Sequence, residues 1–526
     1  MDFIGIYQNY IVFVIYFLLI AIIITFHFIN FKFIKKQFIN INKKSWIFLL
    51  FIFLSGFILR FFVFPHYHQM YIDEPMYLEY AKNINQKLKL IICETRVSES
   101  LEDYCWFSLK PIGWPFLISL AFKIFGLNNY VALYFSSLLG SLSVVLIFLF
   151  SYLLFKNEKI ALWSAFLLAF TPIYVIWSNS AETNNPSLFF VLLTAIFFIL
   201  YLRTKEKPIL ALAVLLLMFT VLVRFETIIL AVLFSLAYIR FSQNPKDQFS
   251  DSLNLYYPLI IIVSLAGMVI LEGFFIGFFR KMFYYNFLDF YFLTFFEYLK
   301  AASFNYIYLT FAAINLFLIE KSDKKIIALL ATSFIFFFLL YLPISFESRM
   351  ALIPCLFLIV LSSFSLEKLF SLFGEYNHAS RIITLLIFLA IYGFSLMSVY
   401  ENIYINDSAN LLETQSIMQI KKEIPKNCYV ISEFPVVLTS VSDLKGLRTK
   451  YVLSNPEIIS ALLNNDKCVY YFYDGYCMEL PLSTVKYSVK RCLKMLEKFR
   501  YEKEISLKMD NKEYSLFRIY KPSGRD

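Results

Sequence analysis

Asp73 and Glu74 stand side by side in "QMYIDEPMYLEYAKNI", a few residues after a long apolar run that ends at Phe64. A carboxylate held at such a boundary can act as general base toward a hydroxyl. The pair is also a good helix start, with Asp73 suited to an N-cap, Pro75 to the first turn and both acids to the dipole. Helical continuation would line Asp73, Tyr77 and Ala81 along one face. Glu182 in "SNSAETNNP" is a second acid in a short turn between apolar runs; it reads equally as a solvated turn ahead of Pro186. Three cations join these acids: Arg349 in "SFESRMALIPCL", Arg224 in "VLVRFETIIL" and Lys110 before "PIGWPF". Each could anchor a helix end by snorkelling. Gathered with acids on one membrane face they would instead bind a lipid-linked phosphate, arginine being the natural fork for its oxygens. His66 and His68 in "FPHYHQMYIDE" raise a metal reading with Asp73 or Glu74, although His-x-His at a membrane interface is more often polar edge. The expectation is a site with no metal and no cofactor.

These residues must be positioned by helices in a membrane. The 526 residues are 60% hydrophobic and only 16% charged, more apolar surface than a soluble chain could bury. Apolar runs can be drawn at 8–31, 46–64, 130–155, 160–178, 186–202, 208–223, 227–240, 256–277, 301–319, 326–344, 350–366 and 382–400, about twelve spans in all. The net charge of +10 sits mostly in the linkers between them, such as "KFIKKQFININKK", "KNEK", "RTKEK" and "EKSDKK". That is topology information, and it excludes a nucleic-acid partner. The positive-inside rule puts these linkers in the cytoplasm. Alternation then puts the 65–129 loop, the turns near Glu182, Arg224 and Glu347, and everything after residue 400 outside. Within the outer loop "WPFLISLAFKIF" is apolar but too short to span and reads as an interfacial helix, as does the aromatic stretch near 278–300.

The expected fold is therefore a polytopic α-helical membrane protein with a small C-terminal extracytoplasmic α/β domain. Residues 1–45 form an extra helix and cytoplasmic linker, 46–400 the transmembrane catalytic domain, and 401–526 the soluble domain. In the last, "NCYVISEF" and "KCVYYFYD" read as strands, "LLETQSIMQIKKEI" and "YSVKRCLKMLEKF" as helices, and "YEKEISLKMDNKEYSLFRIYK" as a hairpin about Asp510-Asn511. Six of the seven cysteines fall in outer-side segments, where disulfides persist. Cys93 with Cys105 is the most plausible pair, and the pairing of Cys428, Cys468, Cys477 and Cys492 is left open. "NDS" at Asn406 is a glycosylation sequon just beyond the last span.

The order of motifs resembles a known family. Arg60 near the end of a span, "IDEPMYLEYAKNI", the Lys110-Pro111 segment, the Phe125-Gly126 turn, "SNSAETNNP", "LVRFETIIL" and "ESRMALIPCL" resemble the dolichyl-phosphate-mannose protein mannosyltransferase and aminoarabinose transferase families. These belong to the GT-C membrane glycosyltransferases. Glu182 stands where Asp is more usual, and Tyr134 stands near the family's common Arg. The resemblance implies transfer of a sugar from a polyprenyl-phosphate donor to a protein, lipid or glycan acceptor, inverting, outside the membrane. It implies Asp73 as base, with Arg349, Arg224 and Lys110 on the phosphate. An oligosaccharyltransferase would be expected to show a Trp-Trp-Asp motif and a metal-binding Asp-x-Asp, and neither is present. The reading from another class is a transporter or lipid flippase, which should place ionisable residues mid-membrane in related halves.

Overall fold

Helices without water must satisfy their own backbone groups, and every break in one needs a donor or acceptor from elsewhere. The computed structural model describes residues 2–66, 68, 73–89, 92–93, 105–106, 110–241, 306–318, 323–341, 348–376 and 411–520, with gaps at 30, 426, 443, 479–485 and 510–511, and isolated positions of 382–397. Among the described residues, Lys43–Val63, Asn129–Phe155, Asn184–Thr204 and Arg349–Leu372 are long and apolar enough to cross a membrane, and two bent helix pairs raise the number to six. The sequence reading of about twelve spans counted shorter runs too, such as those now seen as the 17-residue helix Lys207–Val223 and the 13-residue helix Ile229–Phe241. The expected span at 256–277, most of 382–400 and the stretch 278–300 lie outside the described residues.

One break shows how the constraint is met. Glu158–Phe170 and Pro172–Ser178 meet at a 58° bend. Pro172 has no N–H, so the Leu168 carbonyl four residues back has no helical donor. The guanidinium of Arg60, itself 1% exposed, donates to it at 3.3 Å and to the carbonyls of Ala169 and Gly56 at 3.0 Å each. A Cβ at Gly56 would sit 3.2 Å from Arg60 Nη1 and 3.3 Å from Ala169 Cβ, so the small residue lets the two helices close on that arginine.

The chain divides into a helical unit, residues 1–66, 109–114 and 133–404, and a second unit, residues 67–108, 115–132 and 405–526. The second unit holds a five-stranded sheet. Strands β3 (Tyr429–Ser432), β4 (Lys445–Arg448) and β5 (Val469–Tyr473) are parallel, and the hairpin β6 (Tyr501–Met509) and β7 (Lys512–Ile519) adds to β5 antiparallel, in the order β4-β3-β5-β7-β6. Both faces are buried, with strand residues alternating between them as the pleat requires. Tyr429, Ile431, Val469, Tyr471 and Phe517 pack with Val452 and Ile459 on one face. Val430, Tyr470, Phe472, Tyr514 and Leu516 pack with Ile417, Ile420 and Val437 on the other. Disulfides join Cys428 to Cys468 and Cys477 to Cys492, with Cα atoms 4.6 and 5.6 Å apart. A two-stranded ribbon, β1 (Ile92–Cys93) and β2 (Cys105–Trp106), sets the backbone of Cys93 opposite Cys105.

Replacing Arg60 by Met strands the carbonyls at the 168–169 break. At about 1–3 kcal/mol for a buried group left unsatisfied, the thermal unfolding midpoint in detergent should fall clearly, with Arg60→Lys recovering part of the loss; an unchanged midpoint would remove this role.

Candidate active site

Three of the residues expected at the site converge within the helical unit. Glu182 lies in the turn between Pro172–Ser178 and Asn184–Thr204, and it is 1% exposed, which corrects the solvated-turn reading. Arg349 lies in the short 3-10 turn Ser348–Ala351 and donates through Nη1 to Glu182 Oε2 at 2.7 Å. Arg224 sits in extended backbone where Lys207–Val223 ends and the 3-10 turn Phe225–Ile228 begins. Its Nη1 donates to Asn184 Oδ1 and reaches Thr183 Oγ1 at 3.4 Å, while Nη2 meets Glu226 Oε1 at 3.3 Å. Nη2 also touches the sulfur of Met350, the neighbour of Arg349. The two arginines therefore grip consecutive residues of one turn, Arg349 and Glu182 buried and Arg224 paired with half-buried Glu226.

Residues not singled out from the sequence hold that turn. The Trp114 indole, 0% exposed, donates to the Ala181 carbonyl at 2.7 Å. Gly113 beside it admits no side chain, because a Cβ would lie 2.8 Å from the backbone of Leu222 and Val223, just ahead of Arg224. Lys110, half-buried, starts this same segment. Asn185 donates to Ser136 O at 2.7 Å, Asn179 to Phe64 O at 3.1 Å, and Ser137 to Ser178 O at 3.1 Å. His66 faces Ser137 Oγ at 2.9 Å and packs on the Tyr134 ring at 4.2 Å. Burial holds its imidazole down to about 4, so the ring is neutral near pH 7. A buried Trp in "GWPF" and three Asn in "SNSAETNN" were the available signals, but a polar turn in sequence looks the same wet or dry.

Asp73 and Glu74 belong to the second unit. Asp73 occupies the N-cap position of helix Glu74–Lys87 with helical dihedrals, and its side chain makes no capping hydrogen bond, so Pro75 in the first turn sets the start. Glu74, 0% exposed, accepts from His68 Nδ1 at 2.6 Å. The helix is buried along most of its length and ends at Leu88 in the left-handed region, φ 53°. Lys82, 3% exposed, donates to the Ser440 carbonyl at 2.8 Å, tying this helix to Pro435–Ser442 of the C-terminal domain. Among the described residues no three His, Cys, Asp or Glu side chains gather as a metal site would need.

The second unit also has an acid cluster unforeseen from the sequence, at the carboxyl ends of β3 and β5. Ser432 donates to Asp474 Oδ2 at 2.6 Å, Gly475 N–H donates to Glu413 at 3.2 Å, and Arg491 donates to Glu433 at 2.7 Å. Burial first, then the neighbouring Glu413, pushes the Asp474 carboxyl up to about 8 against the help of Ser432.

Residues 109–271 match the family described as dolichyl-phosphate-mannose-protein mannosyltransferase, a stretch that includes Lys110, Glu182 and Arg224 but neither Asp73 nor Arg349. An oligosaccharyltransferase from Archaeoglobus fulgidus tethered to an acceptor peptide superposes with TM-score 0.58 at 15% identity, over 90% of this chain and 74% of that one. The archaeal oligosaccharyltransferase AglB from the same organism, in complex with an inhibitory peptide and a dolichol-phosphate, gives 0.56 at 13% identity over 91% and 74%. ArnT from Cupriavidus metallidurans bound to undecaprenyl phosphate gives 0.51 at 12% identity over 91% and 98%. The chain has the GT-C fold. The GT-C fold and the apolar helices make it a multi-pass membrane protein with a C-terminal sheet region. No curated protein matches it by sequence.

Truncating Glu182 to Ala leaves the Arg349 guanidinium buried without its carboxylate, a change that costs about 3–5 kcal/mol in buried pairs. Thermal unfolding in detergent should show this loss, with Glu182→Gln falling between; a midpoint like that of wild type would mean the pair is solvated. For Asp474 the sign is set by a raised folded-state value: folding holds the proton, so its stabilising contribution is lost as pH rises from the ordinary carboxylate range through about 8. Asp474→Asn should therefore gain stability over wild type increasingly toward pH 9, read as denaturation midpoints at pH 5 and pH 9; parallel profiles would refute it.

Proposed function

We propose that this chain transfers a sugar from a polyprenyl-phosphate carrier to a hydroxyl of a protein, lipid or glycan acceptor on the outer side of the membrane, with inversion at the anomeric carbon. The observation that carries the reading is the paired-arginine turn, Arg349 on Glu182 and Arg224 on Asn184, in a chain with the GT-C fold. AglB bound to a dolichol-phosphate and ArnT bound to undecaprenyl phosphate, both of this fold, support a lipid-phosphate donor.

In this mechanism Asp73 takes the acceptor O–H proton as the oxygen attacks the anomeric carbon. The bond from that carbon to the phosphate oxygen breaks, and its electron pair leaves with the polyprenyl phosphate. Arg349 and Arg224 stabilise the charge developing on the leaving group, with Lys110 adding a cation at the rim. Arginine can do this while remaining on Glu182 or Asn184, because its guanidinium has five N–H donors. Glu182 holds Arg349 in place, Glu74 holds the start of the Asp73 helix through His68, and the reading uses no metal ion. A pair at Cys93 and Cys105 would close residues 93–105 within the outer loop that also carries Asp73.

The test is transfer by purified protein given a panel of radiolabelled polyprenyl-phosphate sugars. Asp73→Asn should lower the rate roughly 10²–10⁴-fold, the range general-base catalysis supplies, with donor binding retained. Arg349→Gln should weaken donor binding and rate together. Equal rates for Asp73→Asn and wild type would remove Asp73 as base; uptake of substrate into vesicles without transfer would replace the transferase by a transporter.

A further inference from the structure

An apolar cavity of about 320 Å³ runs inside the helical unit, away from the paired-arginine turn. Val191, Ala195, Leu233, Phe234, Leu330 and Phe357 wall it. The one hydroxyl among its lining residues, Ser333, is spent on the Leu329 carbonyl at 2.8 Å. One end is marked by sequence position. Leu153, Leu202 and Ala237 lie in the last turns of their helices, and Ile326 lies in the first turn of Lys324–Tyr341. At that end sits Arg203, the one charged residue among the described residues of the lining. From Val191 to Arg203 the cavity follows one helix for twelve residues, about 18 Å at 1.5 Å per residue.

The charge at the same end is built by several elements. Arg203 donates to the Leu153 carbonyl, joining the ends of two helices. Lys156 follows the first of these, and burial together with Arg203 beside it holds its ammonium down to about 8. Lys205 lies over the rings of Tyr201 and Tyr238 at 5.4 and 5.0 Å. Lys324 and Lys325 begin the helix that contributes Ile326. Of the acids nearby, Glu158 accepts from Asn42 N–H and Ser45 Oγ, and Glu206 sits at the start of Lys207–Val223. The surplus is positive, at one end of an elongated apolar cavity. Such Lys/Arg-rich linkers face the leaflet where anionic lipids concentrate.

We propose that this cavity binds one acyl chain of an anionic phospholipid, with the headgroup phosphate held by Arg203, Lys156 and Lys205. Native mass spectrometry of the full-length protein in detergent tests it, with phosphatidylglycerol, phosphatidylcholine and polyprenyl phosphate offered as probes. Wild type should retain phosphatidylglycerol at least tenfold better than phosphatidylcholine. Arg203→Gln should lower that retention about tenfold, Arg203→Lys should preserve it, and Ala195→Trp, which fills the cavity, should abolish it with the charges intact. Circular dichroism and the unfolding midpoint of each variant separate loss of the lipid from loss of the fold. Equal retention of the two phospholipids, retention unaffected by Ala195→Trp, or preference for polyprenyl phosphate would each overturn the assignment.

Discussion

Backbone carbonyls and amides inside hydrocarbon have no water to turn to, and the helical unit is organised around the places where its helices break. At Pro172 the missing N–H is replaced by Arg60. At the 178–185 turn, Ser137, Asn179, Asn185 and Trp114 bind the backbone or are bound by it. At the 223–225 break, Thr227 donates to the Arg224 carbonyl while Arg224 itself turns back to Asn184. Each break thus draws polar side chains inward that would otherwise have no reason to be buried in an apolar bundle.

The same necessity creates the site. A buried arginine needs a carboxylate, and a buried carboxylate needs an arginine. Glu182 with Arg349, and Arg224 with Glu226, meet that requirement at one turn. Guanidinium groups held in this way are already desolvated and oriented, so a phosphate bound as proposed would meet fixed dipoles and not mobile water. In the proposed reaction the residues that satisfy the polar breaks are the ones that would meet the phosphate.

In the second unit a different constraint dominates. Helix Glu74–Lys87 has a weakly apolar sequence, yet ten of its residues are buried. It is held by His68 on Glu74, by Asn83 on Glu79 and by Lys82 on the Ser440 carbonyl of the C-terminal domain. That domain is in turn a two-faced sheet closed by two disulfides. The C-terminal domain therefore serves as scaffold for the segment carrying Asp73, and this explains why a loop acid can be kept in a defined conformation.

Apolar runs of spanning length, Lys/Arg-rich linkers and the period-2 strands of the C-terminal domain are local patterns. The helices at 43–63, 129–155, 184–204 and 349–372, strands β3 and β5 and the hairpin about residue 510 were legible for that reason. Asp73, Glu182, Arg224 and Arg349 stood out because charge is rare in such a chain. Whether Glu182 was wet or dry, and which of three nearby cations it met, was not legible, since burial depends on what lies across space from a turn. The positioning roles of Gly113, Trp114 and Arg60 are not legible in the sequence because their partners on other segments are 67 to 110 residues away. By itself the sequence determined that this is a helical membrane protein with polar residues at its helix ends, because hydrophobicity and spacing are properties of consecutive residues. Only the tertiary structure decided which carboxylate meets which arginine, which cysteines pair in the C-terminal domain, and that the Asp73 helix leans on that domain, because those depend on distances that no local pattern encodes.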